Sequence, residues 1–190
     1  MNLKYEKICE DNIVVASKIQ YGIFPNSSAY LYYKKNFKDN DNLPIDFLVY
    51  YENEPIGIIG LYDIPIYNDT IWLSWFGVIE KYRYKGFGSQ MLLDIIEISK
   101  KYNKKFLRLF TYEIWNHEAQ KFYQKHMQLG EYYTNQKDNQ YAIQVGKCKI
   151  FGYSLCNDKI DYWNNKFINI DLEDKIHEKS IKLMKKDGIL

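Results

Sequence analysis

The sequence is poor in the residues that build metal sites and disulfide frameworks. Only three cysteines and three histidines occur among its 190 residues. Cys9, Cys148 and Cys156 are odd in number and form no CxxC pair, so we expect free thiols rather than a disulfide framework or a zinc site. The histidines likewise lack HExxH-like spacing, and the sequence therefore predicts no metal site.

The chain also lacks an excess of charge of one sign and a long apolar segment. Its 26 basic and 24 acidic residues leave a net charge of +2, which creates no overall field to attract nucleic acid or an anionic membrane. No window approaches the ~20 apolar residues of a membrane span, and the start, MNLKYEKICEDN, has no apolar signal-peptide core. We therefore expect a cytoplasmic protein that binds neither nucleic acid nor a membrane.

What the chain does contain suits a single globular domain. Hydrophobic residues make up 46% and charged residues 26%, which are ordinary values for such a domain. The hydrophobic periodicity predicts a strand near Leu3–Cys9, two helices, three strands, a helix, a strand, a helix and further strands. The third of the consecutive strands is the run Thr70–Glu80. We expect an α/β fold with a mixed, mostly antiparallel sheet that is flanked by helices and contains one parallel pair.

The clearest helical stripe begins directly after a glycine-rich turn. Phe87, Met91, Ile95, Ile98 and Tyr102 recur at intervals of three or four residues, as one face of a helix requires. The spacing predicts a helix that buries this face against the sheet.

The tail from residue 156 to residue 190 differs in character from the rest. In NIDLEDKIHEKSIKLMKKDGIL the acidic residues come early and the lysines late, with Gly188 near the end, an order that suits a helix dipole. Leu172, Ile176 and Leu183 are predicted to form its apolar face. We expect this helix to dock on its own domain, and a homodimer contact is the alternative. The chain then divides into a main domain, residues 1–155, and a C-terminal extension, residues 156–190.

A turn that combines glycines with cations precedes the long helix. In EKYRYKGFGSQMLLDII, residues 80–96, two cations and two glycines fall within six positions. The first N–H groups of a helix lack internal partners and attract anions, and glycine lets the backbone approach a phosphate closely. The turn is predicted to hold a diphosphate, and a glycine turn with incidental surface lysines is the alternative. The dinucleotide motif G-x-G-x-x-G and the P-loop motif are both absent.

Two segments resemble the GCN5-related N-acetyltransferase (GNAT) family. RYKGFG, residues 83–88, fits [RQ]-x-x-G-x-[GA] between a strand and a helix, and NHEAQKFYQKHM, residues 116–127, resembles the family segment N-x-x-A-x-x-F-Y-x-K. The resemblance covers roughly residues 3–155 and implies a GNAT-type fold whose parallel strand pair splays apart. MQLGEYY departs from the usual glycine–aromatic pair after the second motif, and residues 157–190 extend past the family pattern.

The resemblance implies an enzyme that transfers the acetyl group of acetyl-CoA to a primary amine. The backbone of Phe76, Gly77 and Val78 would hold pantetheine, and Asn116 would cap a helix and touch the cofactor. The pyrophosphate would rest on the turn residues Arg83, Tyr84, Lys85, Gly86, Phe87, Gly88 and Ser89. Tyr123 would be the general acid that protonates the departing thiolate, and its alternative role is that of a buried helix aromatic.

The sequence does not identify the acceptor or the general base. The acceptor would be a small-molecule or peptide amine, and no base is named because Thr70–Val78 contains no carboxylate. Four aromatic residues of the first two helices either line an acceptor pocket or belong to the core: Tyr21, Phe24, Tyr30 and Tyr33. A non-catalytic acyl-CoA-binding or sensing module of the same fold is the alternative function.

Overall fold

A computed structural model of the chain describes residues 1–37, 42–112, 117–132, 148–162 and 170–190. The strands in these ranges are β1 (Lys4–Lys7), β2 (Ile45–Tyr51), β3 (Glu54–Asp63), β4 (Thr70–Leu73), β5 (Gly77–Val78), β6 (Phe106–Tyr112), β7 (Leu129–Tyr132) and β8 (Cys148–Ser154). The α-helices are α1 (Ile13–Ile23), α2 (Tyr30–Asn36), α3 (Phe87–Lys100), α4 (His117–His126) and α5 (Ile170–Lys186). Across these same residues, no helix combines the length and the apolar character that crossing a membrane requires.

The described strands form one mixed sheet. Its order is β1-β2-β3-β4-β6-β8-β7, and β5 pairs with β3 beyond the end of β4. Within the described ranges β4 and β6 are the one parallel pair, and the other neighbours are antiparallel. The predicted fold class, a mostly antiparallel mixed sheet with one parallel pair and flanking helices, is therefore confirmed.

Helices cover both faces of the central strands, which explains why β2 and β3 are almost continuously apolar. Because successive side chains of a strand point to opposite faces, Phe47 and Val49 join the cluster that includes α3 and α4, whereas Leu48 joins the cluster that includes α1 and α2. The predicted stripe of α3 is confirmed. Phe87, Met91 and Ile95 are buried in the cluster, and Ile98 and Tyr102 pack against it, with Tyr102 just past the end of the helix.

The predicted strand Thr70–Glu80 is interrupted in the structure. Leu73 of β4 lies opposite Leu61 of β3, and Gly77 of β5 lies opposite Ile58. Four steps along the interrupted strand therefore match three steps along β3, so the strand contains one extra residue and bulges at residues 74–76. The expectation of one continuous strand was wrong because hydrophobic character is the same with or without a bulge.

The bulge separates the two parallel strands. Parallel pairing runs from Thr70 opposite Phe106 to Trp72 opposite Arg108 and ends there. Beyond this point β5 stays with β3, whereas β6 continues beside β8 as far as Tyr112. A wedge-shaped opening results between β5 and the second half of β6, and we call it the wedge.

Helix α5 lies against α2 and the connection that precedes it. The Ser180 hydroxyl is 2.8 Å from the Ser28 hydroxyl and accepts a hydrogen bond of 2.9 Å from the backbone N–H of Leu31. The Ser28 hydroxyl is also 3.0 Å from the sulfur of Met184. Since Ser180 and Met184 are fully buried, α5 forms part of the hydrophobic cluster on the α1–α2 face of the sheet.

The apolar face predicted for this helix is wrong at one position. Ile176 is 45% exposed, while Ser180 is buried in spite of its hydroxyl. A serine can occupy the buried face here because its hydroxyl is fully engaged by the neighbouring segment. The side chain of Leu172 lies outside the described residues.

Candidate functional site

The edge of the wedge is formed by the backbone of residues 76–78. The N–H of Ile79 donates to the carbonyl of Ile56 at 2.8 Å. Because bonding groups alternate along an antiparallel strand, Gly77 shares the phase of Ile79 and faces β3. Phe76 and Val78 have the opposite phase, so their peptide groups point into the wedge. An extended ligand with amide groups can pair with such an edge as an additional strand does.

Arg83 lies at the rim of this edge. Its Nε donates to the Val78 carbonyl at 2.9 Å, and the side chain is exposed. The guanidinium therefore stands between the strand edge and the start of α3. A ligand running along the strand would meet this cation before it reached the helix.

The turn before α3 exposes a set of backbone amides. Gly86 is the N-cap residue, with φ 87°, and its carbonyl accepts the first hydrogen bond of the helix at 3.0 Å. The N–H groups of Phe87, Gly88 and Ser89 precede that bond and thus have no acceptor within the helix. Together with the dipole of a 14-residue helix, they form a site suited to an anion.

Gly88 leaves the backbone of this site accessible because it has no side chain. A β-carbon there would lie 3.7 Å from the ring of Phe122 and 3.9 Å from that of Phe76, which are ordinary contact distances. The protein could therefore accept alanine at this position, and what glycine provides is close access to the backbone. Exposed amides, a glycine surface and the Arg83 cation fit the diphosphate of a coenzyme.

Tyr123 stands at the inner side of the wedge. Its ring centroid lies 6.2 Å from that of Phe76, 5.4 Å from that of Phe122 and 5.4 Å from that of Phe151. Burial raises the pKa of the Tyr123 phenol, which therefore stays protonated at neutral pH. Within the described ranges no hydrogen-bond partner is found for its hydroxyl.

A contact that the sequence did not suggest ties α3 to α4. The Ser89 hydroxyl lies 3.0 Å from Nε2 of His126, and the imidazole lies 4.6 Å from the ring of Phe122. Burial and the neighbouring Lys125 lower the pKa of His126, which favours a neutral ring. This link holds the anion site in place beside the aromatic side chains of the wedge.

A buried polar cluster lies on the face of the bulge that is covered by α1, α2 and α5. The carboxyl of Asp46, on β2, lies above Gly60 of β3, where a β-carbon would overlap its Oδ1. The backbone N–H of Ser74 donates to the Gly60 carbonyl at 2.8 Å, so Ser74 continues the same row. Burial raises the pKa of Asp46 to about 7, and the Ser74 hydroxyl partly opposes that shift. The only signal in the sequence was a lone acidic residue inside the apolar strand IDFLVYY.

Helices α1, α2 and α5 cover this face. Tyr30 and Tyr33 are buried in the cluster, with Tyr21 and Phe24 partly buried against it, so the core interpretation is correct for the first two. Trp75 of the bulge packs edge-on against His177 of α5, with centroids 5.5 Å apart. A surface cavity of about 410 Å³ opens beside α1, and its lining includes Lys18, Ile19, Gly22, Ile23, Pro25, Ile79, Glu80 and Arg83.

The structure gathers most of the predicted site residues around the wedge. Phe76 and Val78 form its edge, residues 83–89 form the turn at its rim, and Tyr123 lies on its inner side. Asn116 lies outside the described residues. The predictions missed Asp46 because only strand pairing brings it next to Ser74.

A splayed parallel pair beside an amide-rich helix start defines an acyltransferase type of fold. The family model described as the acetyltransferase (GNAT) family matches residues 13–127, which is more than half of the chain. The chain therefore belongs to the GNAT acetyltransferase family, and the predicted resemblance is confirmed.

Solved structures agree on the fold. A GNAT-family protein from Desulfovibrio desulfuricans superposes with a TM-score of 0.67 at 12% identity, over 82% of this chain and 100% of that chain. The ribosomal-protein-S18-alanine N-acetyltransferase from Escherichia coli gives 0.62 at 13% identity, over 87% and 100%. A spermidine N-acetyltransferase chimera that includes Vibrio cholerae sequence gives 0.62 at 14% identity, over 82% and 96%. Among curated proteins no significant match is found.

Proposed function

We propose that the protein transfers the acetyl group of acetyl-CoA to a primary amine. The observation that carries this proposal is the wedge itself, where the edge of β5 leads to the free amides of α3 and Tyr123 lies on the inner side. Acetyl-CoA is long enough to engage all three features at once. We expect no metal to take part.

Different residues would bind different parts of acetyl-CoA. The peptide groups of Phe76 and Val78 would pair with the pantetheine arm, and Gly77 leaves room for α1, since a β-carbon there would lie 2.5 Å from Ile23. The diphosphate would rest on residues 83–89, where Arg83 and Lys85 supply charge. Asn116 would touch the cofactor from the start of α4.

The chemistry asks for a neutral amine, a polarised thioester carbonyl and a protonated leaving group. A backbone N–H of residues 76–78 would polarise the carbonyl, as in an oxyanion hole. Tyr123 would give its proton to the leaving sulfur. Its raised pKa keeps the phenol protonated, as a general acid requires, and general acid catalysis of this kind typically contributes about 10²–10⁴-fold in rate.

The test is release of free CoA thiol from acetyl-CoA with a panel of primary amines. Tyr123→Phe should lower kcat by about 10²-fold and leave the KM for acetyl-CoA nearly unchanged, since the ring still fills its place. Tyr162→Phe is the matched control, because this tyrosine is exposed and has no part in the proposed reaction. Full activity in Tyr123→Phe would remove the general-acid assignment.

A non-catalytic acyl-CoA-binding or sensing module is the alternative function. It is favoured by the absence of a carboxylate between Thr70 and Val78, on the strand that borders the wedge. Acetyl-CoA should raise the thermal stability of the protein under both proposals, and turnover separates them. Stabilisation without thiol release on any amine would favour the sensing module, and no stabilisation would count against both.

The acceptor is proposed only as a class. The two named neighbours act on an alanine of ribosomal protein S18 and on spermidine, according to their names, so this fold serves both protein and small-molecule amines. We propose a small-molecule or peptide amine as acceptor, a cytoplasmic location, and neither nucleic acid nor membrane as partner. A docked α5 with a single main domain remains our proposal, with a homodimer contact as the alternative.

A further inference from the structure

We propose that Asp46 accepts, through Ser74, the proton that the acceptor amine loses during acetyl transfer. This inference rests on the proposed function and supplies the base that the sequence did not identify. Asp46 does not face the wedge. It lies behind Ser74, the first residue of the bulge whose later residues form the edge of the wedge.

A row of residues runs from Asp46 to Ser74 across three neighbouring strand segments. Asp46 of β2 lies opposite Gly60 of β3, and Ser74 at the start of the bulge is hydrogen-bonded to the Gly60 carbonyl. With no side chain at Gly60, the carboxyl reaches over β3 toward the Ser74 hydroxyl, which acts on its pKa. The path from Asp46 to the bulge therefore contains no intervening side chain from β3.

Polar groups without hydrogen-bond partners are buried around Asp46. Asp46 is 8% exposed, and its Oδ1 has no hydrogen-bond partner; the hydroxyl of Tyr33, on α2, is likewise buried without one. Such groups cost free energy that an apolar side chain would not. A cavity of about 20 Å³ lies between Asp46 and Tyr33, and Lys7 of β1 also borders it. That volume suffices for about one water, so the cluster has both polar surface and space.

Ser74 lies close in the chain to the edge of the wedge. Ser74 precedes Phe76 by two residues, and the peptide groups of Phe76 face the wedge. The Ser74 hydroxyl acts on the pKa of Tyr32 as well as on that of Asp46. A proton that reaches the bulge from the acceptor side therefore meets Ser74 before it meets the buried carboxylate.

Protons and electrons balance in the proposed transfer. The amine nitrogen forms a bond to the acetyl carbon, the carbon–sulfur bond breaks, and the sulfur keeps the electron pair and takes the Tyr123 proton. The surplus proton on nitrogen passes to the Ser74 oxygen, and the hydroxyl proton of Ser74 passes to the Asp46 carboxylate. The Tyr123 phenolate takes up one proton from solvent before the next turnover, which balances the proton that Asp46 releases. With a pKa of about 7, Asp46 is sufficiently ionised at neutral pH to accept it and afterwards returns it to solvent.

Among the described residues, a small set of charged and titratable groups surrounds Asp46, and it includes Tyr62 of β3, which acts on Tyr32. Helix α2 contributes Tyr32 and Tyr33, strand β1 contributes Lys7 at the cavity, and the bulge contributes the non-titrating Ser74. Burial raises the pKa of both tyrosines, so they stay neutral in the range where Asp46 titrates. A change in activity near pH 7 that disappears with the carboxyl can therefore be assigned to Asp46.

The experiment measures the pH dependence of kcat/KM with an acceptor amine whose own ionisation is determined separately. The wild type should show a rise through about pH 7 in addition to the ionisation of the amine. The Asp46→Asn variant should lose that rise, and its kcat/KM should be lower by about 10²-fold at pH 8. It should still bind acetyl-CoA, as measured by thermal shift. The kcat/KM of Ser74→Ala should be lowered similarly, although Asp46 is still present. If Asp46→Asn does not fold, the Ser74→Ala variant tests the relay.

Ser17→Ala is the matched control, because Ser17 is a buried serine of α1 whose hydroxyl has no hydrogen-bond partner. It should keep both the rate and the profile. A lowered rate with the rise near pH 7 retained in Asp46→Asn or Ser74→Ala would overturn the relay and leave a structural role. An active wild type without that rise would also overturn the relay alone, whereas an inactive wild type would overturn the proposed function and the relay together.

Discussion

Replacement of Asp46 by asparagine should change how the free energy of unfolding depends on pH. Burial raises the pKa of Asp46 from its ordinary value of 3.8 to about 7. Between these values the folded protein holds a proton that the unfolded chain has released. The stability of the wild type must therefore fall as pH rises through this window, and the asparagine variant, which has no such proton, should not show that fall.

The expected size follows from the shift. About three pKa units correspond to about 4 kcal/mol in total, at roughly 1.4 kcal/mol per unit. Since part of the loss occurs below pH 5, the difference between variant and wild type should grow by roughly 3 kcal/mol from pH 5 to pH 8. Asp46 is 8% exposed, so screening by solvent reduces this value little.

The assay is urea denaturation of both proteins at a series of pH values. Asp187→Asn is a useful control, because the Tyr30 hydroxyl and Lys34 lower the pKa of this carboxyl. Both states of the wild type are then ionised at Asp187 above pH 5, so its substitution should shift stability by a constant amount from pH 5 to pH 8. A constant offset for Asp46→Asn as well would refute the reasoning, because it would mean that the buried carboxyl holds no extra proton.

Two further substitutions test the turn and the C-terminal helix. Gly86→Ala should destabilise by about 1–2 kcal/mol because φ is 87° there, whereas Gly88→Ala should be nearly neutral in urea denaturation; equal effects would contradict a backbone origin. Ser180→Ala should cost about 1–3 kcal/mol, because it leaves the buried N–H of Leu31 without its acceptor. Its exposed neighbour Lys182→Ala is the control, and a loss below 0.5 kcal/mol, within the scatter of surface substitutions, would show that α5 contributes little at this contact.

Much of the fold was predictable because its signals are local. The periodicity of Phe87 and Met91 predicts α3 from the sequence alone, since a helix has the same repeat wherever it packs. Gly86 and Gly88 likewise indicate a turn that exposes amides, and the structure gives Gly86 a positive φ. These features depend on neighbours within a few residues, which the sequence displays directly.

The buried polar row was not predictable, because it depends on pairing between distant segments. Asp46 and Ser74 are 28 residues apart in the sequence and become neighbours only through the registers of β2 with β3 and of β3 with the bulge. Hydrophobic character gave no sign of the extra residue that creates the bulge, and an isolated aspartate has no periodicity of its own.

The sequence by itself determined the family, the order of the elements and the glycine turn before α3, because each is encoded by short spacings and by backbone preferences such as that of Gly86. Only the tertiary structure decided where the parallel strands separate and which carboxyl is buried behind the bulge. It also decided that α5 buries Ser180 and exposes Ile176. These outcomes follow from strand register and from what covers each face, and both are set by contacts between residues far apart in the chain.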